Sequence, residues 1–220
     1  FGADWLTAAW WVSLIFFVLN IMLIIELVRL AGGSRWAGLA AAAMFLCMCP
    51  YLYYQFYAMS EPVYYFCTLA AFILMLRGFR NSNFGWWFCC GLACGSAFLA
   101  RYIGIVSLCA IFGAVLIFLR SKRSQAFLGL FSGSLPLIAA WLIRNALATG
   151  SAANRNMLSH WVTKDDLFHG IVIFWRWIWP ERYGKIEVPA PWMVWGTAGF
   201  LIGAVIFVIV LMILNPRRKK

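Results

Sequence analysis

The sequence has few charged residues for its length, and acidic groups are the scarcest of them. Only 11% of the 220 residues are charged and 7 are Asp or Glu, whereas 65% are hydrophobic. A soluble domain of this size has too small an interior to bury so much apolar surface. The low charge and the 19 Phe and 13 Trp also exclude disordered, collagen-like and coiled-coil proteins. The composition therefore predicts an all-α fold, a polytopic transmembrane helical bundle.

Histidine is nearly absent, with 2 residues, and no cysteine lies in a connecting segment. The cysteines all fall inside apolar runs: Cys47, Cys49, Cys67, Cys89, Cys90, Cys94 and Cys109. Cys90 and Cys94 lie one helical turn apart, but no histidine accompanies them. We interpret the cysteines as small core residues, and we predict neither a metal site nor a disulfide framework.

Seven segments are apolar and long enough to cross a membrane, because about 20 helical residues span a hydrocarbon core of roughly 30 Å. They run approximately over residues 5–25, 36–54, 60–76, 84–100, 102–119, 126–143 and 191–214. The fourth and fifth are separated only by Arg101, which predicts a tight helical hairpin. A shorter apolar stretch at Leu167 to Trp179 predicts an interfacial helix, either an aromatic membrane anchor or a substrate lid.

These segments divide the chain into three parts. We expect a six-span core over 1–143, a loop with the interfacial helix over 144–190, and a last helix with a basic tail over 191–220.

Glycine pairs at four-residue spacing, Gly91 with Gly95, Gly129 with Gly133 and Gly199 with Gly203, predict close helix packing. Pro136 inside the sixth span predicts a kink.

Basic residues predict the orientation, because Lys and Arg are retained on the cytoplasmic side of short loops. Successive connections between spans lie on alternate sides of the membrane. The connections on one side contain 11 of the 18 basic residues, and those on the other side contain 7 basic residues together with six of the seven acids. The 11 basic residues are Arg29, Arg35, Arg77, Arg80, Arg120, Lys122, Arg123, Arg217, Arg218, Lys219 and Lys220. We therefore predict that residues 50–61, the Arg101 turn and residues 144–190 are extracytoplasmic, with the C-terminus in the cytoplasm.

The net charge of +11 does not predict a nucleic-acid partner. Nucleic-acid binding needs basic residues clustered on one accessible face with stacking aromatics, whereas here they lie between apolar runs. Glu26, three residues before Arg29, is expected to form a surface ion pair with it.

Ionisable groups at membrane depth are the first indication of a functional site, and few are present. At the external end of the third span, Ser60 is placed to cap the helix, Pro62 to begin it, and Glu61 to complement the helix dipole. The alternative is that Glu61 faces an external cavity, where its carboxylate would hold a sugar hydroxyl or a metal ion.

Arginines are also predicted to meet at this external face. Arg101 lies in the turn between two spans, Arg144 ends the sixth span, and Arg155 follows it. Because arginine binds phosphate through two parallel hydrogen bonds, the three would hold a lipid phosphate. The alternative is that each arginine only extends to the lipid headgroups.

The same segments carry a resemblance to a known family. The order FGADWLTAAWWVSL, YAMSEPVYYF, FLARYIGI and PLIAAWLIRNALATGS resembles bacterial membrane glycosyltransferases of the dolichyl-phosphate-mannose protein mannosyltransferase type, in the GT-C superfamily. The resemblance covers about residues 1 to 155. It rests on Ser-Glu-Pro at 60–62, Arg-Tyr at 101–102 and Trp-x-x-Arg-Asn at 141–145.

One family feature is missing from the printed sequence. The family carries an acidic motif that supplies the catalytic base on an external loop after its first helix, before the segment that Phe1 resembles. Asp4 lies too close to the first span to replace it. The residues from Phe1 to Trp5 show no signal-peptide pattern either. We therefore expect a further helix and the acidic motif upstream of Phe1.

The resemblance implies a multi-pass plasma (inner) membrane enzyme that transfers a sugar from a polyprenyl-phosphate donor to an acceptor hydroxyl on the extracytoplasmic face. The resemblance does not specify whether the acceptor is a glycan, a lipid or a protein. It does not specify a cofactor either; a divalent cation is one candidate, but no clear metal motif is present. Besides membrane lipids, the donor is the expected partner. The predicted substrate-binding residues are Glu61, Arg101, Tyr102, Arg144, Asn145 and Arg155.

Two other functions are compatible with the sequence. A non-catalytic scaffold or subunit of the same fold would bind lipid-linked sugar without transferring it, which the missing acidic motif favours. A small transporter would show charged or broken spans related by an internal repeat, and we find no such repeat.

Overall fold

The computed structural model describes residues 4–47, 60–152, 163 and 166. Six α-helices account for most of these residues: α1 (Trp5–Leu30), α2 (Arg35–Cys47), α3 (Glu61–Asn81), α4 (Phe84–Ala100), α5 (Gly104–Phe118) and α6 (Arg123–Thr149). No strand occurs among the described residues. The prediction of an all-α helical membrane bundle is confirmed.

The chain divides into two compact units, residues 1–157 and 158–220. All six helices belong to the first unit. In the second unit, the Asp166 carboxylate accepts hydrogen bonds from the Thr163 backbone N–H at 2.8 Å and from the Thr163 hydroxyl at 2.7 Å.

Each of the first six predicted spans overlaps a helix, although residues 48–54 of the second span lie outside the described residues. Within the described residues, three helical regions are long and apolar enough to cross a membrane: Thr7–Leu30, Glu61–Asn81 and Arg123–Thr149. The helices α2, α4 and α5 are apolar but shorter. The seventh predicted span, the interfacial helix at 167–179 and the Gly199–Gly203 pair lie outside the described residues.

Short connections make neighbouring helices antiparallel, so the bundle has two distinct ends. The Glu61 end comprises the start of α3, the α4–α5 connection at residues 101–103, and the end of α6. The Glu26 end comprises the ends of α1 and α3 and the α5–α6 connection at residues 119–122. The tight hairpin predicted around Arg101 is confirmed, because α4 ends at Ala100 and α5 begins at Gly104.

Glycines bring α4 and α6 into backbone contact. A Cβ atom added to Gly129 would lie 2.6 Å from the Cβ of Trp87, and one added to Gly91 would overlap the carbonyl oxygen of Leu130. Both Trp87 and Leu130 are buried in the main core. The predicted packing role is confirmed for the Gly91–Gly95 and Gly129–Gly133 pairs.

The cysteines whose side chains the structure describes divide between the core and the outer surface of the bundle, and those of Cys47 and Cys49 are not among them. Cys67, Cys90 and Cys94 are buried, and the Cys90 thiol donates to the Ala71 carbonyl at 3.3 Å. Cys89 and Cys109 are exposed, so their interpretation as core residues was wrong. An apolar run does not distinguish a core face from an outward face when lipid is the solvent, because both are apolar.

A charged cluster joins α1 to α3 at the Glu26 end. Glu26 pairs with Arg29 at 2.6 Å, as predicted, and also with Arg77 at 3.3 Å. Arg80 donates to the Leu30 carbonyl at 2.5 Å, which satisfies one of the backbone acceptors that a helix C-terminus leaves unpaired. The Arg77 guanidinium also lies over the Trp86 ring, 5.3 Å from its centroid. These contacts fix the end of α1 against the end of α3.

We expect Gly91→Ala to destabilise the bundle, because the added methyl group meets backbone atoms of Leu130 that cannot rotate away. The expected loss is about 1–3 kcal/mol of unfolding free energy, as for other overpacked cores. Thermal unfolding of the purified protein in detergent measures it. Gly113→Ala in α5 is the matched control, because nothing lies within 4 Å of an added Cβ there. Equal stability of the two variants would contradict the packing role.

Candidate functional site

An ion pair between two helices lies at the Glu61 end of the bundle. The Glu61 carboxylate, in the first turn of α3, accepts a hydrogen bond from the guanidinium of Arg101, the residue that follows α4. The Glu61 side chain is 13% exposed and that of Arg101 is 45% exposed. The pair therefore has a largely buried carboxylate and a guanidinium that is still open to solvent on one side.

The local structure at the start of α3 differs from the capping prediction in one respect. Pro62 lies in the first turn, as expected, and Glu61 stands at the positive end of the helix dipole. Ser60 occupies the N-cap position, but its side chain makes no capping hydrogen bond. Its backbone has helical dihedral angles, whereas a capping Ser adopts an extended conformation to direct its hydroxyl back to the helix. The prediction that Ser60 caps α3 was therefore wrong.

A second polar group is centred on the hydroxyl of Tyr102. This oxygen accepts hydrogen bonds from the Asn145 side-chain amide at 3.1 Å and from the Trp141 indole N–H at 3.2 Å. The ring of Phe98 contacts the Tyr102 ring edge-on, with centroids 5.4 Å apart. The hydrogen bonds join the α4–α5 connection to the last turns of α6.

Asn145 is 2% exposed and makes several contacts. Its amide also donates to the Ala152 carbonyl at 3.4 Å, while its side-chain oxygen accepts from Arg144 at 3.4 Å. The Arg144 guanidinium lies over the ring of Trp141, 5.2 Å from its centroid. Stacking on an indole holds a guanidinium while leaving N–H groups available to an anion.

The structure links five of the six predicted site residues at one end of the bundle. Arg101 and Tyr102 are neighbours in the chain, so the Glu61 ion pair and the Asn145 hydrogen bonds share one connection. Arg144 joins through Asn145. Arg155 lies outside the described residues, so the three-arginine cluster stays a prediction.

Asn20, a polar residue within the first predicted span, was assigned no role from the sequence. In the structure Asn20 is 0% exposed, and its amide donates to the Pro62 carbonyl at 3.0 Å. Asn20 therefore contacts the turn of α3 that carries Glu61. The available signal was the rarity of an amide inside an apolar helix.

A cavity of about 320 Å³ lies between α1, α2 and α3. It is lined by Ile24, Phe45, Tyr64, Tyr65, Thr68 and Leu69. The Thr68 hydroxyl lies 3.4 Å from that of Ser107 on α5. In the part of the chain that the structure describes, no group of three or more His, Cys, Asp or Glu side chains comes together to hold a metal ion.

The fold and the site define a helical membrane protein with an arginine-containing polar site at one end of its bundle. A family model described as dolichyl-phosphate-mannose-protein mannosyltransferase matches residues 1–144. The chain belongs to this family and is thus a membrane glycosyltransferase of the GT-C type, which confirms the family resemblance seen in the sequence. No curated protein and no solved structure matches the chain.

We expect Tyr102→Phe to destabilise the Glu61 end, because the change removes the acceptor of both Asn145 and Trp141. Leaving a buried donor without its partner costs about 1–3 kcal/mol of unfolding free energy. Thermal unfolding of the purified variant measures the loss. Tyr64→Phe is the control and also removes a tyrosine hydroxyl. No hydrogen bond joins the Tyr64 hydroxyl to the described residues, so this variant should keep its stability. Equal unfolding temperatures of the two variants would contradict the hydrogen-bond network.

Proposed function

We propose that the protein transfers a sugar from a polyprenyl-phosphate donor to an acceptor hydroxyl on the extracytoplasmic face of the plasma membrane. The observation that carries this proposal is that Arg101 and Arg144 lie at the same end of a membrane bundle, where the hydrogen bond between Asn145 and Tyr102 links the two segments that carry them. A lipid-linked donor keeps its tail in the bilayer, so its phosphate has to be bound at such an end. Membership in a mannosyltransferase family supports the same chemistry.

Arginine chemistry suits the donor phosphate. A guanidinium remains charged in partly apolar surroundings and matches phosphate oxygens with two parallel N–H groups. Arg101 is 45% exposed although it is paired, and Arg144 is exposed above Trp141. Both arginines therefore have an open side on which to bind a phosphate.

In the proposed reaction Glu61 does not act as the general base. Its carboxylate is held by Arg101 and largely buried. We propose that Glu61 holds the Arg101 guanidinium in place for the donor phosphate.

The reaction is an inverting displacement at the anomeric carbon. The acceptor oxygen forms a bond to that carbon while the bond from carbon to the phosphate oxygen breaks, and the electron pair leaves with the polyprenyl phosphate. The arginines stabilise the negative charge that develops on the phosphate. The acceptor proton passes to a carboxylate acting as general base, for which the family resemblance implies a separate acidic motif.

We expect Arg144→Ala to lower transfer by about 100-fold or more, the scale for removing one electrostatic contact from a transition state. Arg144→Lys should be nearly as harmful, because an ammonium group lacks the planar fork. The measurement is release of polyprenyl phosphate from a labelled donor by the purified full chain. Arg120→Ala, an exposed arginine at the Glu26 end, is the control and should keep full transfer.

The outcomes of this experiment separate the candidate functions. Normal transfer and normal donor affinity in Arg144→Ala would reduce Arg144 to a membrane anchor and contradict its proposed role. Donor binding without any transfer by the unaltered chain would instead indicate a subunit that only binds lipid-linked sugar.

The sidedness is testable at two exposed serines. We propose that the Glu61 end is extracytoplasmic and the Glu26 end cytoplasmic, following the distribution of basic residues. In a variant without the native cysteines, Ser151→Cys should react with a membrane-impermeant thiol reagent in intact spheroplasts. Ser121→Cys should react only after the membrane is broken. The reverse pattern would contradict the orientation.

A further inference from the structure

Asn20 is a buried amide within the apolar helix α1. Its side chain is 0% exposed, and its Nδ2 atom donates to the carbonyl oxygen of Pro62 at 3.0 Å. The side-chain oxygen has no hydrogen-bond partner among the described residues. Because the Pro62 carbonyl can only accept, the amide nitrogen has to face α3 and the oxygen has to face away from it.

This arrangement is costly for a residue that only packs one helix against another. A buried acceptor without a partner loses its hydration and gains nothing in return, most of all within a membrane. Leucine, whose side chain has the same number and branching of heavy atoms as that of asparagine, carries no acceptor and would avoid that loss. Asn20 therefore differs from Ser134, whose buried hydroxyl is satisfied by the Leu130 carbonyl of its own helix at 2.8 Å.

The hydrogen bond from Asn20 joins α1 to the first turn of α3. It does not replace a cap, because it is donated to a carbonyl, whereas a cap accepts from the free N–H groups of the first turn. Ser60 makes no capping hydrogen bond, and Pro62 has no backbone N–H to donate. In the described part of the chain, the hydrogen bonds that other helices and connections make to this turn are those from Asn20 to Pro62 and from Arg101 to Glu61. Glu61 precedes Pro62 directly, so fixing Pro62 also fixes the backbone from which Glu61 projects.

We propose that Asn20 is a positioning residue that holds the first turn of α3, so that Glu61 keeps the Arg101 guanidinium directed at the donor phosphate. This inference rests on the proposed function for the role of Arg101. Its geometric part, that Asn20 sets the distance between Glu61 and Arg101, is independent of any reaction.

The first test is Asn20→Leu in the purified full chain. Thermal stability should be unchanged or higher, because the unpaired oxygen is removed, whereas the KM for the polyprenyl-phosphate donor should rise about tenfold with the acceptor KM unchanged. A purely structural role would lower the amount of folded enzyme and leave both KM values unchanged. Asn20→Gln keeps the donating amide and should recover part of the donor affinity. Ser134→Ala, the control, should alter neither KM.

The second test asks whether Asn20 acts through Glu61. In a Glu61→Gln background, Asn20→Leu should change the donor KM by less than about twofold, because residues that act as one unit are not additive. A full tenfold effect in that background would overturn the proposed route through Glu61. A stability loss that parallels the loss of transfer in Asn20→Leu would overturn the positioning role.

A third test needs no activity. In a variant without the native cysteines, Glu61→Cys and Arg101→Cys should be joined by a short bifunctional thiol reagent, and adding Asn20→Leu should slow this cross-linking about fivefold or more. Unchanged cross-linking would overturn the inference. Cross-linking could also be slower while the unaltered protein transfers no sugar from any polyprenyl-phosphate donor. That result would uphold the geometric part of the inference and contradict only the proposed function.

Discussion

The backbone contact between α4 and α6 is the constraint on which the site depends. Gly91, Gly129 and Gly133 remove the side chains that would keep these helices apart, so each backbone lies against the other. Lipid tails are as apolar as helix surfaces, and close packing then replaces the hydrophobic effect as the force that joins helices. At the Glu61 end, the same contact places Tyr102 within hydrogen-bond distance of Asn145. The polar network is a consequence of this steric fit.

Ion pairs and hydrogen bonds between helices occur at both ends of the bundle, with different partners for the arginines. At the Glu26 end, Arg77 and Arg80 both contact the end of α1, where they tie α1 to α3. At the Glu61 end, Arg101 and Arg144 contact polar side chains but also stay partly open. The Arg77 side chain is 39% exposed, close to the 45% of Arg101, so exposure does not distinguish the two ends. The contacts do: at the Glu26 end the arginines contact Glu26 and the Leu30 carbonyl, and at the Glu61 end they contact Glu61 and Asn145.

Much of the fold was predictable from the sequence, because apolar length and basic connections specify helices and their alternation. The placement of Arg101 and Glu61 at the same end also followed from alternation, but their ion pair did not. The partners of each side chain did not follow, since they depend on helix rotation. Periodicity does not report rotation when both faces of a helix are apolar, and Cys89 and Cys109 were misplaced for that reason. Asn20 was overlooked because its partner is a backbone carbonyl 42 residues away.

The shortness of α4 and α5 has a consequence for the surrounding bilayer. Their 17 and 15 residues correspond to lengths of about 25 and 22 Å at 1.5 Å per residue. Both values fall below the roughly 30 Å of an average hydrocarbon core. A short hydrophobic helix draws the lipid around it into a thinner layer. The headgroups beside the Arg101 connection would therefore lie deeper than those around α6, and a lipid-borne phosphate would reach the arginines along a local depression of the membrane surface.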